Sequence, residues 1–206
     1  MKRKKQIYEM TLLAILTGLI VLMSFTPIGY IKTAGLEITL LVIPVVIGGI
    51  TLGIKGGTFL GFVFGITSYL QCILGFSVFG ATLNSINPFL TIIVCIVPRT
   101  LMGFLVGLIY QTLSKLIKKE IISNLITSIS GALLNTVLFM SLLCLCFYQT
   151  DYIQGFKATL GANNVITFIL LFVGINGLIE LLLNVIVGST ISKTLLIINN
   201  KYEKRG

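Results

Sequence analysis

Between Lys55 and Lys115 the chain runs for 59 residues with a single charge, Arg99. Nothing else constrains the fold as strongly. In water such a run would have to be covered on every side by the rest of the chain. The rest offers little polar cover, because only 10% of the 206 residues are charged and 56% are hydrophobic. This composition belongs in a lipid bilayer. Lipid supplies no hydrogen bonds to a backbone, so the apolar stretches must be helices, each needing about 20 residues to cross.

The uncharged intervals predict an all-α integral membrane protein, one domain over residues 1–206, with helices over 7–26, 38–54, 56–73, 88–114, 121–149 and 163–190. The net charge of +9 is distributed in a way that argues against nucleic acid as the partner. With the N-terminus inside, the inner segments hold the basic residues of "KRKK", Lys55, "KLIKK", Lys193 and "KYEKR", and the outer loops hold Lys32 and Lys157. That asymmetry predicts cytoplasmic termini and an even number of crossings. The first apolar stretch is too long for a signal-peptide core and no A-x-A-like site follows it, so it reads as a retained helix.

The absences narrow the chemistry. With no histidine, zincin motifs, Ser-His dyads and imidazole relays are excluded. "GGITLGIKGG" lacks the Lys-Ser or Lys-Thr of a phosphate loop, so the chain is not expected to hydrolyse ATP, nor to be an enzyme. No metal site or cofactor is expected. Cys72, Cys95, Cys144 and Cys146 fall in or beside the spans and read as small buried apolar residues.

Polar groups inside the spans carry the functional signal. At 1.5 Å per residue Arg99 lies about 16 Å below the outer end of its helix, Asn135 about 20 Å and Asn176 about 18 Å, so three helices contribute to one layer. Asn176, Glu180 and Asn184 form an i, i+4, i+8 stripe, and Glu180 comes within reach of Arg99. Two readings follow. Arg99 and Glu180 form a structural pair, or Arg99 faces an outward cavity and its fork holds a ligand carboxylate. Pro98 kinks or starts the helix and frees backbone carbonyls in either case. The long outer segments, "TPIGYIKTAGLEI", "LGFSVFGATLNSIN" and "QTDYIQGFKATLGANN", have the glycine, aromatic and amide content of a mobile lid. Ala14 and Gly18 on one helix, and Gly57, Gly61 and Gly65 on another, make small-residue faces for packing within the chain or for docking a second membrane subunit.

"TPIGYI", "IPVVIGGITLG", "GFVFGITS" and "NPFLTIIVCIVPRTLMGFLVGLIY", together with six helices and the small-residue motif of the first, resemble the substrate-binding S-component of an energy-coupling factor (ECF) transporter. The resemblance covers nearly the whole chain. It implies a vitamin captured from outside beneath the first, third and fifth loops, a transmembrane coupling subunit, two cytoplasmic ATPases, and the cytoplasmic membrane of a bacterium. The family's Ala-xxx-Ala docking motif falls on Ala14 and Gly18, where the glycine departs from the pattern. "TPIGYI", "IPVVIGG" and "VPR" are most similar to the pantothenate branch. Pantothenate would place its carboxylate on Arg99 and its hydroxyl and amide groups on Asn84, Asn87, Asn135 and Asn176, with Tyr30 and Tyr69 nearby. Folate, biotin and nicotinate also carry a carboxylate, and little aromatic area near the lids leans away from folate. The competing class is a stand-alone channel or secondary carrier.

Overall fold

The structure is a computed structural model and describes residues 2–26, 29–31, 38–117, 119–188, 190 and 191. In chain order its elements are α1 (Lys2–Ser24), β1 (Tyr30–Ile31), β2 (Ile38–Thr39), α2 (Val42–Thr51), α3 (Gly53–Leu74), α4 (Val78–Ile86), α5 (Pro88–Leu116), α6 (Glu120–Phe147), α7 (Asp151–Thr159) and α8 (Val165–Leu183), which runs on into a π turn at Asn184–Gly188. The strands pair antiparallel, Tyr30 opposite Thr39 and Ile31 opposite Ile38. Among the described residues four helices are long and apolar enough to cross a bilayer: Lys5–Ser24 within α1, and α3, α5 and α6.

Those four match the spans expected over 7–26, 56–73, 88–114 and 121–149. The other two differ. Where a helix over 38–54 was expected, α2 has 10 residues, about 15 Å at 1.5 Å per residue and half of a hydrocarbon core of about 30 Å. Its residues Val42 to Ile50 are all buried, because α1, α3, α5 and α6 pack around it. A helix apolar on every side has no lipid or water face to present and serves as a core element. It ends at Leu52 and Gly53, where a φ of 71° places the chain in the left-handed region that only glycine enters without cost. The sixth expected helix, 163–190, is present as α8 but broken at Gly174 (φ 41°, ψ −136°).

The segments expected to be loops are also structured. Ser77 accepts a hydrogen bond from the Gly80 N–H and starts α4. Asn87 accepts from the Leu90 N–H at 3.1 Å, with Pro88 in the first turn of α5, the arrangement that satisfies otherwise orphaned N–H groups.

The tightest contact joins α3 to α5. A Cβ on Gly61 would overlap the Arg99 carbonyl oxygen, and one on Gly57 would overlap the Gly103 carbonyl oxygen. The glycine face of α3 therefore packs within the chain, backbone against backbone. One hydrophobic cluster joins α1, α2, α3 and α5 through residues such as Leu16, Val46, Phe64 and Met102. A second joins α4 to α8 through Leu83, Val94, Met140, Phe147, Ile153 and Phe168.

Candidate functional site

A cavity of about 110 Å³ opens where the two clusters meet. By volume it admits several waters or a small organic group. Its wall has a face from each of four helices. α3 contributes Ser68, Gln71 and Cys72, α5 contributes Thr91, Cys95 and Arg99, and α6 contributes Asn135 and Phe139. From α8 come Val173 and Gly177, which flank the break at Gly174. Phe79 and Gly80 of α4, with Tyr30 and Thr39 of the hairpin, also line the cavity.

Arg99 owes its position to its neighbour. Pro98 has no N–H, so the helical bond from residue 98 to the Val94 carbonyl does not exist. The Arg99 side chain folds back one turn and its Nη1 donates to that oxygen at 2.6 Å. The guanidinium lies 4.3 Å from the Phe139 ring centroid and 5.6 Å from that of Phe64, contacts worth about 0.5–2 kcal/mol each depending on desolvation. The residue is 8% exposed, and Nε is buried with no hydrogen-bond partner among the described residues. A charged donor left so costs about 1–3 kcal/mol or more. The arrangement is that of a planar cation held by one tether and two rings, with donor capacity left over for an anion.

The expected site residues divide. Arg99, Asn135 and Tyr30 line the cavity. The side-chain oxygen of Asn87 is engaged in capping α5. Asn84, half-buried on α4, and Tyr69 on α3 are not part of the wall. The side chains of Asn176 and Glu180 lie outside the described residues, and with them the expected pairing of Glu180 with Arg99. Ser68, Gln71, Thr91 and Phe139 were missed. For Ser68 and Thr91 the signal was periodic: Thr91, Cys95 and Arg99 recur at i, i+4, i+8, as do Phe64, Ser68 and Cys72. Gln71 is fixed by α1, its Nε2 donating to the Ser24 carbonyl at the end of that helix.

The aromatic content near the lids is larger than the sequence reading allowed. Phe79 packs against Tyr152 at 5.7 Å, Phe156 at 6.0 Å and Phe172 at 5.7 Å, and Phe168 stacks on Phe172 at 5.0 Å. These rings tie α4, α7 and α8 together, and most contact one another rather than the cavity. The cysteines also separate into two kinds. Cys72 and Cys95 meet in the cavity wall with sulfurs 3.7 Å apart, whereas Cys144 and Cys146 are half-buried on α6. Among the described residues no three metal-ligating side chains gather.

Ala14 and Gly18 are both exposed on α1, and a Cβ on Gly18 would meet nothing within 4 Å. Compared with known proteins, the chain matches over residues 8–192 the family model described as ECF transporter, substrate-specific component. No curated protein matches it.

Proposed function

Given that the chain belongs to the substrate-specific components of ECF transporters, we propose that it is the specificity subunit for a small carboxylated vitamin, pantothenate, bound in the Arg99 cavity. As a member of that family it is a multi-pass membrane protein that binds a small-molecule substrate and works with the other components of an ECF transporter. The observation that carries the proposal is the guanidinium of Arg99, buried at a cavity with an Nε that has no hydrogen-bond partner among the described residues. A carboxylate arriving in the cavity would form charge-assisted hydrogen bonds with it. Riboflavin and thiamin have no carboxylate to offer. Asn135, Gln71 and Thr91 are suited to the hydroxyl and amide groups of pantothenate.

In this reading the chain lies in the cytoplasmic membrane of a bacterium with both termini inside, the placement its basic residues favour. Ala14 and Gly18, exposed on the first helix, are the docking face for the coupling subunit, and ATP is hydrolysed by two partner ATPases. The test is calorimetry on the detergent-purified chain against pantothenate, folate, biotin, nicotinate, riboflavin and thiamin. Saturable binding of pantothenate, abolished in Arg99→Ala protein that still inserts and purifies, is expected. Unchanged affinity in that variant would sink the assignment. Gly18→Leu should leave pantothenate binding intact while blocking co-purification with the coupling subunit, and unimpaired co-purification would remove the docking role.

A further inference from the structure

We propose that Cys72 and Cys95 are an oxidisable pair in the cavity wall, whose disulfide joins α3 to α5 and withdraws the support of α4. The two sulfurs lie 3.7 Å apart. Each residue is 5% exposed, and both line the cavity, so an oxidant small enough to enter it meets both thiols at once. Cys144 and Cys146 lie two residues apart on one helix, a spacing at which side chains do not face each other.

A disulfide requires about 2.05 Å between sulfurs, so the pair must close by about 1.6 Å. The backbones cannot share that movement easily, since α3 and α5 already touch through Gly57, Gly61 and Gly65. The Sγ atoms must swing instead. Cys72 Sγ now sits within contact of the Ser68 carbonyl at 3.3 Å and directly beneath Gly80, where a Cβ would overlap it. Drawing that sulfur toward Cys95 removes the floor on which α4 rests. Because Phe79 of α4 is part of the ring cluster with Tyr152, Phe156 and Phe172, the lid is loosened at the same time.

With hydrogen peroxide as oxidant the step balances. One thiol, as its thiolate, attacks the peroxide, the O–O bond breaks, and a sulfenic acid forms with release of one water. The second sulfur then displaces the sulfenic oxygen, which leaves as a second water, and the S–S bond forms. Two sulfurs give up two electrons, and the two thiol protons end in the two waters.

The experiment treats the full chain in detergent with hydrogen peroxide. Expected are the loss of two thiols, reversible by dithiothreitol, and a non-reducing peptide map that joins residue 72 to residue 95. Backbone hydrogen exchange over residues 78–86 should rise on the order of tenfold, as local opening becomes easier. Cys72→Ser and Cys95→Ser should each abolish both effects, and the double variant Cys144→Ser, Cys146→Ser should retain them. A link elsewhere, or single-thiol oxidation without a link, would overturn the pair, and a 72–95 link with unchanged exchange in α4 would overturn the coupling. Pantothenate over Arg99, one turn from Cys95, should slow the cross-linking. A link that forms equally fast with pantothenate counts against the vitamin reading and leaves the pair standing.

Discussion

Replacing Pro98 with alanine should uncouple stability from affinity. An interior proline costs a helix about 3 kcal/mol relative to alanine. Alanine removes two ring carbons from a buried site, a loss of about 1.6 kcal/mol at 0.8 kcal/mol per methylene. The net expectation is a gain of about 1 kcal/mol, read as a melting temperature that holds or rises. The N–H restored at residue 98 competes for the Val94 carbonyl, which now accepts from Arg99 Nη1 at 2.6 Å. Once that tether weakens, the guanidinium must be ordered by the ligand, at about 0.5–1.5 kcal/mol for one long side chain. Affinity for the proposed carboxylate ligand should therefore fall about two- to tenfold. Calorimetry and thermal melting on the same detergent preparation measure both quantities. Unchanged affinity would refute the tether, and a loss of affinity that follows a falling melting temperature would mean that the helix itself had failed.

Asn87→Ala removes the α5 cap and should cost about 1 kcal/mol of stability while leaving ligand affinity unchanged; thermal melting together with calorimetry separates this from a binding role, in which affinity would fall. Gly61→Leu drives a side chain into the Arg99 carbonyl and should cost 3 kcal/mol or more, beyond the usual range of about 1–3 kcal/mol for overpacking because the obstacle is backbone. Size-exclusion chromatography should then show little folded monomer, and a well-folded variant would mean that α3 and α5 have room to part.

Charge-free runs made α1, α3, α5 and α6 legible, because the bilayer sets the length of a helix that crosses it. That argument fails for α2, which is enclosed by protein and answers to the space between its neighbours. An interval without charges marks where charges are absent and not where a helix ends, so 38–54 shrank to Val42–Thr51. The glycine and polar content of the outer segments hid α4 and α7, although Ser77 and the Asn87–Pro88 step carried start signals. At the site, Arg99 and Asn135 stood out by rarity. Ser68 and Thr91 did not, because hydroxyl residues are frequent in apolar helices and usually bond to the carbonyl a turn back, as Thr100 and Thr112 do. Gln71 became meaningful only through its contact with the Ser24 carbonyl.

The glycine contact between α3 and α5 divides the site into a part that is free to vary and a part that is not. Gly61 clasps the carbonyl of Arg99 itself, so α5 cannot rotate or slide to serve a ligand of another shape without rebuilding α3. A lineage that keeps this frame keeps its cation in place and can change cargo through the surrounding wall, at Phe79 on α4, Met140 on α6 and Val173 on α8. Attempts to reprogram the protein for a longer or flatter carboxylate belong at those three positions.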